Sequence, residues 1–191
     1  MPARVPMVSP DRAQELGDAM GLPAHRTRSE AFRTVANNPA VARVVFGQLL
    51  QLLENNKLDT RLRELMIMRI AWITGSVYEW TQHWRVAITA GLPPDDILAV
   101  RDWHSAANLT DADRAILAAT DECLAGQSMS DAVWTDVVRH VPDPAHQVEF
   151  IIAMGNWMSF SLLFRTLRIP LAEGLAPWPP DGKASPAAPA P

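Results

Sequence analysis

Glu79 and His83 are the residues of this sequence whose types and spacing most clearly indicate chemistry. They lie four residues apart, and residues at that spacing face the same side of an α-helix. A third ionisable group, Glu64, lies in the apolar stretch just before them. Because an apolar setting moves the pKa of a carboxyl group toward neutrality, where general acid–base catalysis is efficient, the three residues predict a proton-transfer site.

Each of these residues also has a simpler structural explanation. Ser76 and Glu79 have the spacing of a capping box, in which the glutamate only satisfies a backbone N–H at a helix start. His83 alone is more often a hydrogen-bonded core histidine, and Glu64 alone pairs with a nearby arginine. A cap requires neither a histidine one turn later nor a second carboxylate before it, so the combination favours chemistry.

The elements that must position these residues are helices. Asp59 can cap a helix over residues 60–74, which Gly75 ends, and Ser76 begins a second helix that reaches about Ala90. We expect the two helices to form a tight antiparallel hairpin that carries all three ionisable residues. On the second helix His83 falls at the edge of the apolar arc and Glu79 beside it, so both are partly withdrawn from water.

Apolar patterns with a 3.6-residue period recur from end to end, which predicts an all-α protein of about seven or eight helices with little or no sheet. Six helices besides the hairpin are expected at about residues 10–20, 39–54, 94–103, 111–125, 131–140 and 145–168. We therefore predict a single all-α domain over residues 29–173, an N-terminal extension over residues 1–28, and a Pro/Ala-rich tail over residues 174–191.

Composition limits the possible partners and compartments. The formal net charge of -4, with no block of basic residues, argues against nucleic acid and anionic membranes as partners. The most apolar stretch, residues 65–74, is too short to cross a bilayer. One cysteine, Cys123, excludes an internal disulfide framework and a Cys-x-x-Cys pair. No export signal is visible, and we predict a cytoplasmic protein.

The hairpin resembles the carboxymuconolactone decarboxylase and alkyl hydroperoxidase D-like superfamily. The matching residues lie in the segments 63–71, Gly75-Ser76-x-x-Glu79-x-x-x-His83 and 90–92. The superfamily core is a helical hairpin with a glutamate on the first helix and a histidine on the second. The resemblance therefore implies an alkyl hydroperoxidase D-like helical bundle around the predicted hairpin.

One departure from the superfamily bears on function. The hydroperoxidase branch has Cys-x-x-Cys where this chain has Ser76 and Glu79. Peroxide reduction requires a thiolate nucleophile and a resolving thiol, and Cys123 lies on a different predicted helix. We therefore reject a thiol peroxidase. We favour the decarboxylase-like branch, whose sequences look like Glu-x-x-x-His without cysteine, the pattern that Glu79 and His83 reproduce.

By that resemblance the protein is a cofactor-independent enzyme that acts on a small cyclic or unsaturated acid, lactone or ketone through proton transfer at carbon. His83 is the expected acid or base, with Glu79 and Glu64 orienting it or relaying protons. The reaction is decarboxylation, or otherwise isomerisation, hydration or retro-aldol cleavage. The residues expected to bind or enclose the substrate are Ser76 at the helix N-terminus, Tyr78, Trp80, Trp84 and Trp157.

Two other functions remain open at this point. Glu79, His83 and Glu64 could hold a metal ion in a hydrolase, although we rank this below cofactor-free chemistry and predict no metal. Alternatively, the fold is a non-catalytic helical module that binds a small molecule. In either case the apolar residues 65–74 and 148–164 predict a homo-oligomer, and the resemblance implies a trimer or hexamer.

Overall fold

The computed structural model describes residues 2–126 and 128–188, and within these residues the secondary structure is ten α-helices without a strand. The all-α prediction is confirmed. The expectation of seven or eight helices omitted two short ones of four and six residues, which are too short to show a periodic apolar pattern. The helices are α1 Pro10–Met20, α2 Ala24–Thr27, α3 Glu30–Val35, α4 Pro39–Glu54, α5 Thr60–Thr74, α6 Val77–Thr89, α7 Pro94–Ala99, α8 Asp111–Gly126, α9 Asp131–His140 and α10 Pro144–Leu167.

The chain divides into two compact units. The first unit comprises the described residues up to Asn56 together with residues 163–175. Its core contains Phe32 and Phe46, whose rings meet edge to face with their centroids 4.9 Å apart. Val8 N–H donates to Arg33 O, which fixes the segment before α1 within this unit.

The second unit comprises residues 57–162 and the described residues from Ala176 onward. It contains the predicted hairpin of α5 and α6. The Asp59 side chain accepts a hydrogen bond from Leu62 N–H at the start of α5, and Gly75, at φ 72°, ends the helix in the left-handed conformation. Apolar residues of α5 from Leu65 to Ala71 are fully buried, so this helix is the centre of the unit.

The C-terminal tail packs against this unit. Trp178 lies against Trp72 and Trp80, and Trp80 Nε1–H donates to the carbonyl of Pro179 at 2.8 Å. The Arg101 guanidinium lies 4.9 Å from the centroids of the Trp72 and Trp80 rings. The tail residues thus complete an aromatic cluster that their own composition could not form.

Helix α10 is long and apolar. By length and composition alone it is sufficient to cross a membrane, and 44% of the qualifying window is buried within the structure. Buried core helices of globular proteins meet the same criterion, so this is weak evidence for a membrane span. The part of α10 up to residue 162 belongs to the second unit and supplies two side chains to the site described next.

Candidate functional site

Glu64 on α5 and His83 on α6 contact each other directly. His83 Nδ1 lies 2.7 Å from Glu64 Oε2, and Arg63 Nε–H donates to Glu64 Oε1 at 2.9 Å. Burial by itself raises the pKa of the Glu64 carboxyl, but the interactions with His83 and then with Arg63 outweigh it and hold that pKa below its ordinary value. Glu64 is therefore an ionised carboxylate although its side chain is fully buried.

Trp157 on α10 forms a hydrogen bond with Nε2, the second nitrogen of the His83 ring. Its indole Nε1–H donates to His83 Nε2 at 2.9 Å, and the two rings meet edge to face. Because an indole N–H is only a donor, Nε2 must be an acceptor here, which assigns the imidazole proton to Nδ1. The hydrogen-bond pattern therefore fixes a neutral His83 that donates to Glu64.

Glu79 lies in a different environment from Glu64. Its carboxyl is buried, and its Oε2 is hydrogen-bonded to the Ser161 hydroxyl. Burial raises the pKa of this carboxyl well above its ordinary value, and the nearby hydroxyls of Ser161 and Ser76 offset the shift only in part. Burial thus favours the protonated form of Glu79, and its Oε1 accepts no hydrogen bond from the described residues.

The capping-box explanation of Glu79 is wrong. Ser76 N–H donates to the carbonyl of Ala71 at 2.9 Å, so it is not available to the Glu79 side chain. The Ser76 side chain makes no capping hydrogen bond either. Glu79 points into the protein because its helix begins in the interior, with Ser76 itself fully buried.

The structure separates the residues predicted to bind substrate. Trp157 contacts His83, and Ser76 lies near the Glu79 carboxyl. In contrast, Trp80 and Trp84 pack in the hydrophobic cluster with the tail, and they make no hydrogen bond or ring contact with the three ionisable residues, so their place in a pocket wall stays a prediction. Aromatic residues at helical spacing are more often core than pocket. Tyr78 is also buried, at 5% exposure.

Sequence reasoning missed Ser161 and Thr74. The Thr74 hydroxyl, at the end of α5, lies 3.0 Å from Ser161 Oγ and donates to the Ile70 carbonyl at 2.7 Å. Ser161 is a buried polar residue in an apolar helix, four positions after Trp157. That spacing places both side chains on one face of α10, and it is the signal that could have identified Ser161.

A cavity of about 400 Å³ lies elsewhere in the same unit and includes none of the residues described above. Its charged lining is partly self-paired, since Arg139 contacts Asp136 at 2.5 Å. We therefore place the candidate site at the buried ionisable residues rather than at this cavity. The cavity is lined by Trp103, Asp111, Arg114, Ala115, Ala118, Val133, Asp136, Arg139 and His140.

Metal binding was the alternative use of the same side chains. Both nitrogens of His83 already make hydrogen bonds, and Glu64 accepts from His83 and Arg63. Among residues 2–126 and 128–188 there is no group of three or more His, Cys, Asp or Glu side chains arranged to hold a metal ion.

A model of a known protein family matches the region that contains the hairpin of α5 and α6. Residues 39–122 match the family model of the carboxymuconolactone decarboxylase family. No curated protein matches the chain.

Solved structures share the fold. One is an uncharacterised peroxidase-related protein from Ralstonia eutropha JMP134, described as an alkylhydroperoxidase AhpD core, with 17% identity and a TM-score of 0.71 over 91% of this chain and 94% of that one. A peroxidase-related protein from Silicibacter sp. TM1040 has 17% identity and a TM-score of 0.70 over the same shares. A cysteine-to-alanine variant of the debrominase Bmp8, in complex with 2,3,4-tribromopyrrole, has 14% identity and a TM-score of 0.73, again over 91% and 94%. At these identities the likeness shows the fold alone.

Proposed function

We propose that this protein is an enzyme that transfers protons at a carbon atom of a small cyclic or unsaturated acid, lactone or ketone. Its residues 39–122 belong to the carboxymuconolactone decarboxylase family. Decarboxylation is the first candidate among the related lyase and isomerase reactions. The proposal needs neither a metal ion nor an organic cofactor. It assigns proton transfer to His83 and Glu79 and assigns the orientation of His83 to Glu64.

One feature carries the proposal: the environments of two buried glutamates on the hairpin shift their pKa values in opposite directions. Hydrogen bonds and charge from His83 and Arg63 lower the pKa of Glu64, whereas burial raises that of Glu79. Environments that push the pKa values of two carboxyls apart are typical of acid–base assignments in enzymes. A purely structural network would not require a neutral acid in the same unit.

The hydrogen bonds support a separate role for each nitrogen of His83. His83 Nε2 is the basic nitrogen, because Nδ1 carries the proton that faces Glu64. When Nε2 accepts a proton from a substrate carbon, the Glu64 carboxylate stabilises the resulting imidazolium. The Trp157 N–H must first leave Nε2, and the substrate takes its place.

Glu79 supplies the second proton in this scheme. Its protonated carboxyl donates to the enolate oxygen or to the carbon that has lost a carboxyl group, and Oε1 is the oxygen that accepts no hydrogen bond from the described chain. The imidazole edge is the accessible part of the site, since His83 is 9% exposed while Glu79 is 1% exposed. A substrate therefore reaches His83 first and Glu79 behind it.

Thiol chemistry has little support in this chain. The only cysteine, Cys123, is buried on α8, and burial, followed by the charge of Glu122, raises the pKa of its thiol. A thiol with a raised pKa is a poor nucleophile.

Replacing His83 tests the proposal directly. Wild type and His83→Ala are incubated in deuterated water with a cyclic β-keto acid, an unsaturated γ-lactone and a cyclic enone, and NMR follows product formation and deuterium at carbon. Because the main base is lost, we expect the rate on any accepted compound to fall about 100- to 10,000-fold.

The control for this experiment is His104→Ala, since His104 is exposed and lies on a turn outside the site. It should retain the wild-type rate. Helical circular dichroism and the melting temperature show whether each variant folds. If His83→Ala loses its fold and wild type converts no compound of these classes, His83 is structural and the non-catalytic binding module becomes the better description.

We also propose that the protein is a homo-oligomer, a trimer or hexamer, located in the cytoplasm. Residues 65–72 of α5 give no support to assembly, because they are buried within their own chain. An exposed apolar face on α10 does support it, with Val148 at 65%, Ile152 at 49% and Leu162 at 69% exposure.

Ile152→Glu is expected to dissociate this assembly, since a charge at the centre of an apolar interface lacks a partner. Light scattering should give the mass of an oligomer for wild type and of a monomer for the variant. Thr135→Glu, on the exposed side of α9, is the matched control and should leave the mass unchanged. A monomeric wild type would disprove the oligomer.

A further inference from the structure

Two hydroxyl side chains connect the buried Glu79 to a half-buried position at the end of α5. Glu79 Oε2 is hydrogen-bonded to the Ser161 hydroxyl, Ser161 Oγ lies 3.0 Å from Thr74 Oγ1, and Thr74 Oγ1 lies 2.7 Å from the carbonyl of Ile70. Glu79 and Ser161 are 1% exposed, whereas Thr74 is half-buried in the last turn of α5. The series of hydroxyls therefore leads from the interior toward solvent.

The hydrogen bonds that link Glu79, Ser161 and Thr74 can run in either of two directions. When Glu79 is protonated, its O–H donates to Ser161, Ser161 donates to Thr74, and Thr74 donates to the Ile70 carbonyl. When Glu79 is ionised, Ser161 must donate to the carboxylate and Thr74 to Ser161. In each state both hydroxyls find an acceptor, and the two states differ only in the direction in which the hydroxyls donate. This direction reverses when one proton passes along the series of hydrogen bonds.

A threonine hydroxyl that bonds the carbonyl four residues earlier is common in helices and has no functional meaning alone. The second contact of Thr74 is the unusual feature, because it joins α5 to a serine 87 residues later that in turn contacts a buried carboxyl. Thr81 provides the contrast on the neighbouring helix: it is more deeply buried than Thr74, yet its hydroxyl has no hydrogen-bond partner among the described residues.

We infer that Thr74 and Ser161 form a proton path that reloads Glu79 from solvent after each turnover. In this step Glu79 has given its proton to the substrate. Ser161 passes its hydroxyl proton to the Glu79 carboxylate, Thr74 passes its own to Ser161, and Thr74 takes one from water, so one solvent proton enters for each proton delivered. Both are positioning residues that act through Glu79, and this role rests on the proposed function.

The experiment measures proton exchange rather than turnover. The infrared carboxyl band of Glu79 is assigned by its absence from Glu79→Gln, and the protein is then transferred into deuterated water without substrate. We expect Thr74→Val and Ser161→Ala to retain the protonated band but to exchange its proton about tenfold or more slowly than wild type, since exchange then requires local opening of the packed helices.

Two matched variants complete the test. Thr74→Ser retains the hydroxyl, and Thr81→Val makes the same replacement as Thr74→Val at a buried hydroxyl outside the path, so both should exchange at the wild-type rate. The path is refuted if Thr74→Val exchanges as fast as wild type, if Thr81→Val is slowed equally, or if Glu79→Gln removes no carboxyl band. Because no substrate is present, the outcome is independent of whether the proposed reaction occurs.

Discussion

The Glu64→Gln variant is expected to be about 3–5 kcal/mol less stable than wild type, because the substitution removes one charge of a buried ion pair. Both Glu64 oxygens accept hydrogen bonds, from Arg63 and from His83. Glutamine offers one acceptor and one NH₂ group, so one of these two donors faces another donor. Urea unfolding near neutral pH measures the difference.

The Asp136→Asn variant is the control for this prediction, because its ion pair with Arg139 is exposed and contributes at most about 1 kcal/mol. The stabilisation from Glu64 also has a defined pH dependence. Since its pKa is lowered by folding, the contribution is complete above the ordinary carboxyl range and is lost as the pH falls through the folded-state pKa. Equal stabilities of Glu64→Gln and wild type would show that the carboxylate is not held as the structure indicates.

Glu79→Gln is expected to change stability in the opposite direction. Folding raises the pKa of Glu79, so above the ordinary carboxyl range the folded chain binds one proton that the unfolded chain has released. The wild-type free energy of unfolding therefore falls with rising pH by up to about 1.4 kcal/mol per pH unit, until the folded-state pKa is reached. Glutamine does not ionise and lacks this slope.

The two proteins should thus be similar in stability near pH 5, and the variant should be the more stable near pH 8. Urea unfolding across this range gives both curves. Glu15→Gln, at an exposed position of α1, is the control and should run parallel to wild type. A Glu79→Gln curve that also runs parallel to wild type would mean that Glu79 is ionised in the folded protein, and the opposite charge states of the two glutamates would be refuted.

The fold was largely predictable where the signals are local. Asp59 and Gly75 cap α5 by contacts within a few residues, and the structure has these caps. Helices α2 and α3 were missed because four and six residues are too few for a periodic pattern. The tail could not be placed, because the partners of Trp178 lie about a hundred residues earlier in the chain and composition does not specify such contacts.

The site was predictable to the extent that it depends on the hairpin. The pairing of Glu64 with His83 follows from two helices joined by a tight turn, whose facing sides can be read from the sequence. Trp157 and Ser161 come from α10, 74 and 82 residues beyond their partners, and only the tertiary structure brings them there. These two contacts determine which nitrogen of His83 is basic and which glutamate is neutral.

¹⁵N NMR of the His83 ring tests most directly whether the three residues form an acid–base site. Wild type, Glu64→Gln and Glu79→Gln are compared with and without a cyclic β-keto acid, an unsaturated γ-lactone and a cyclic enone. We predict a neutral ring protonated at Nδ1 in wild type, a changed Nδ1 signal in Glu64→Gln, and a shift of Nε2 when a compound binds and displaces the Trp157 N–H. If the ring signals respond neither to the carboxyl replacements nor to any of these compounds, the three residues do not form an acid–base site.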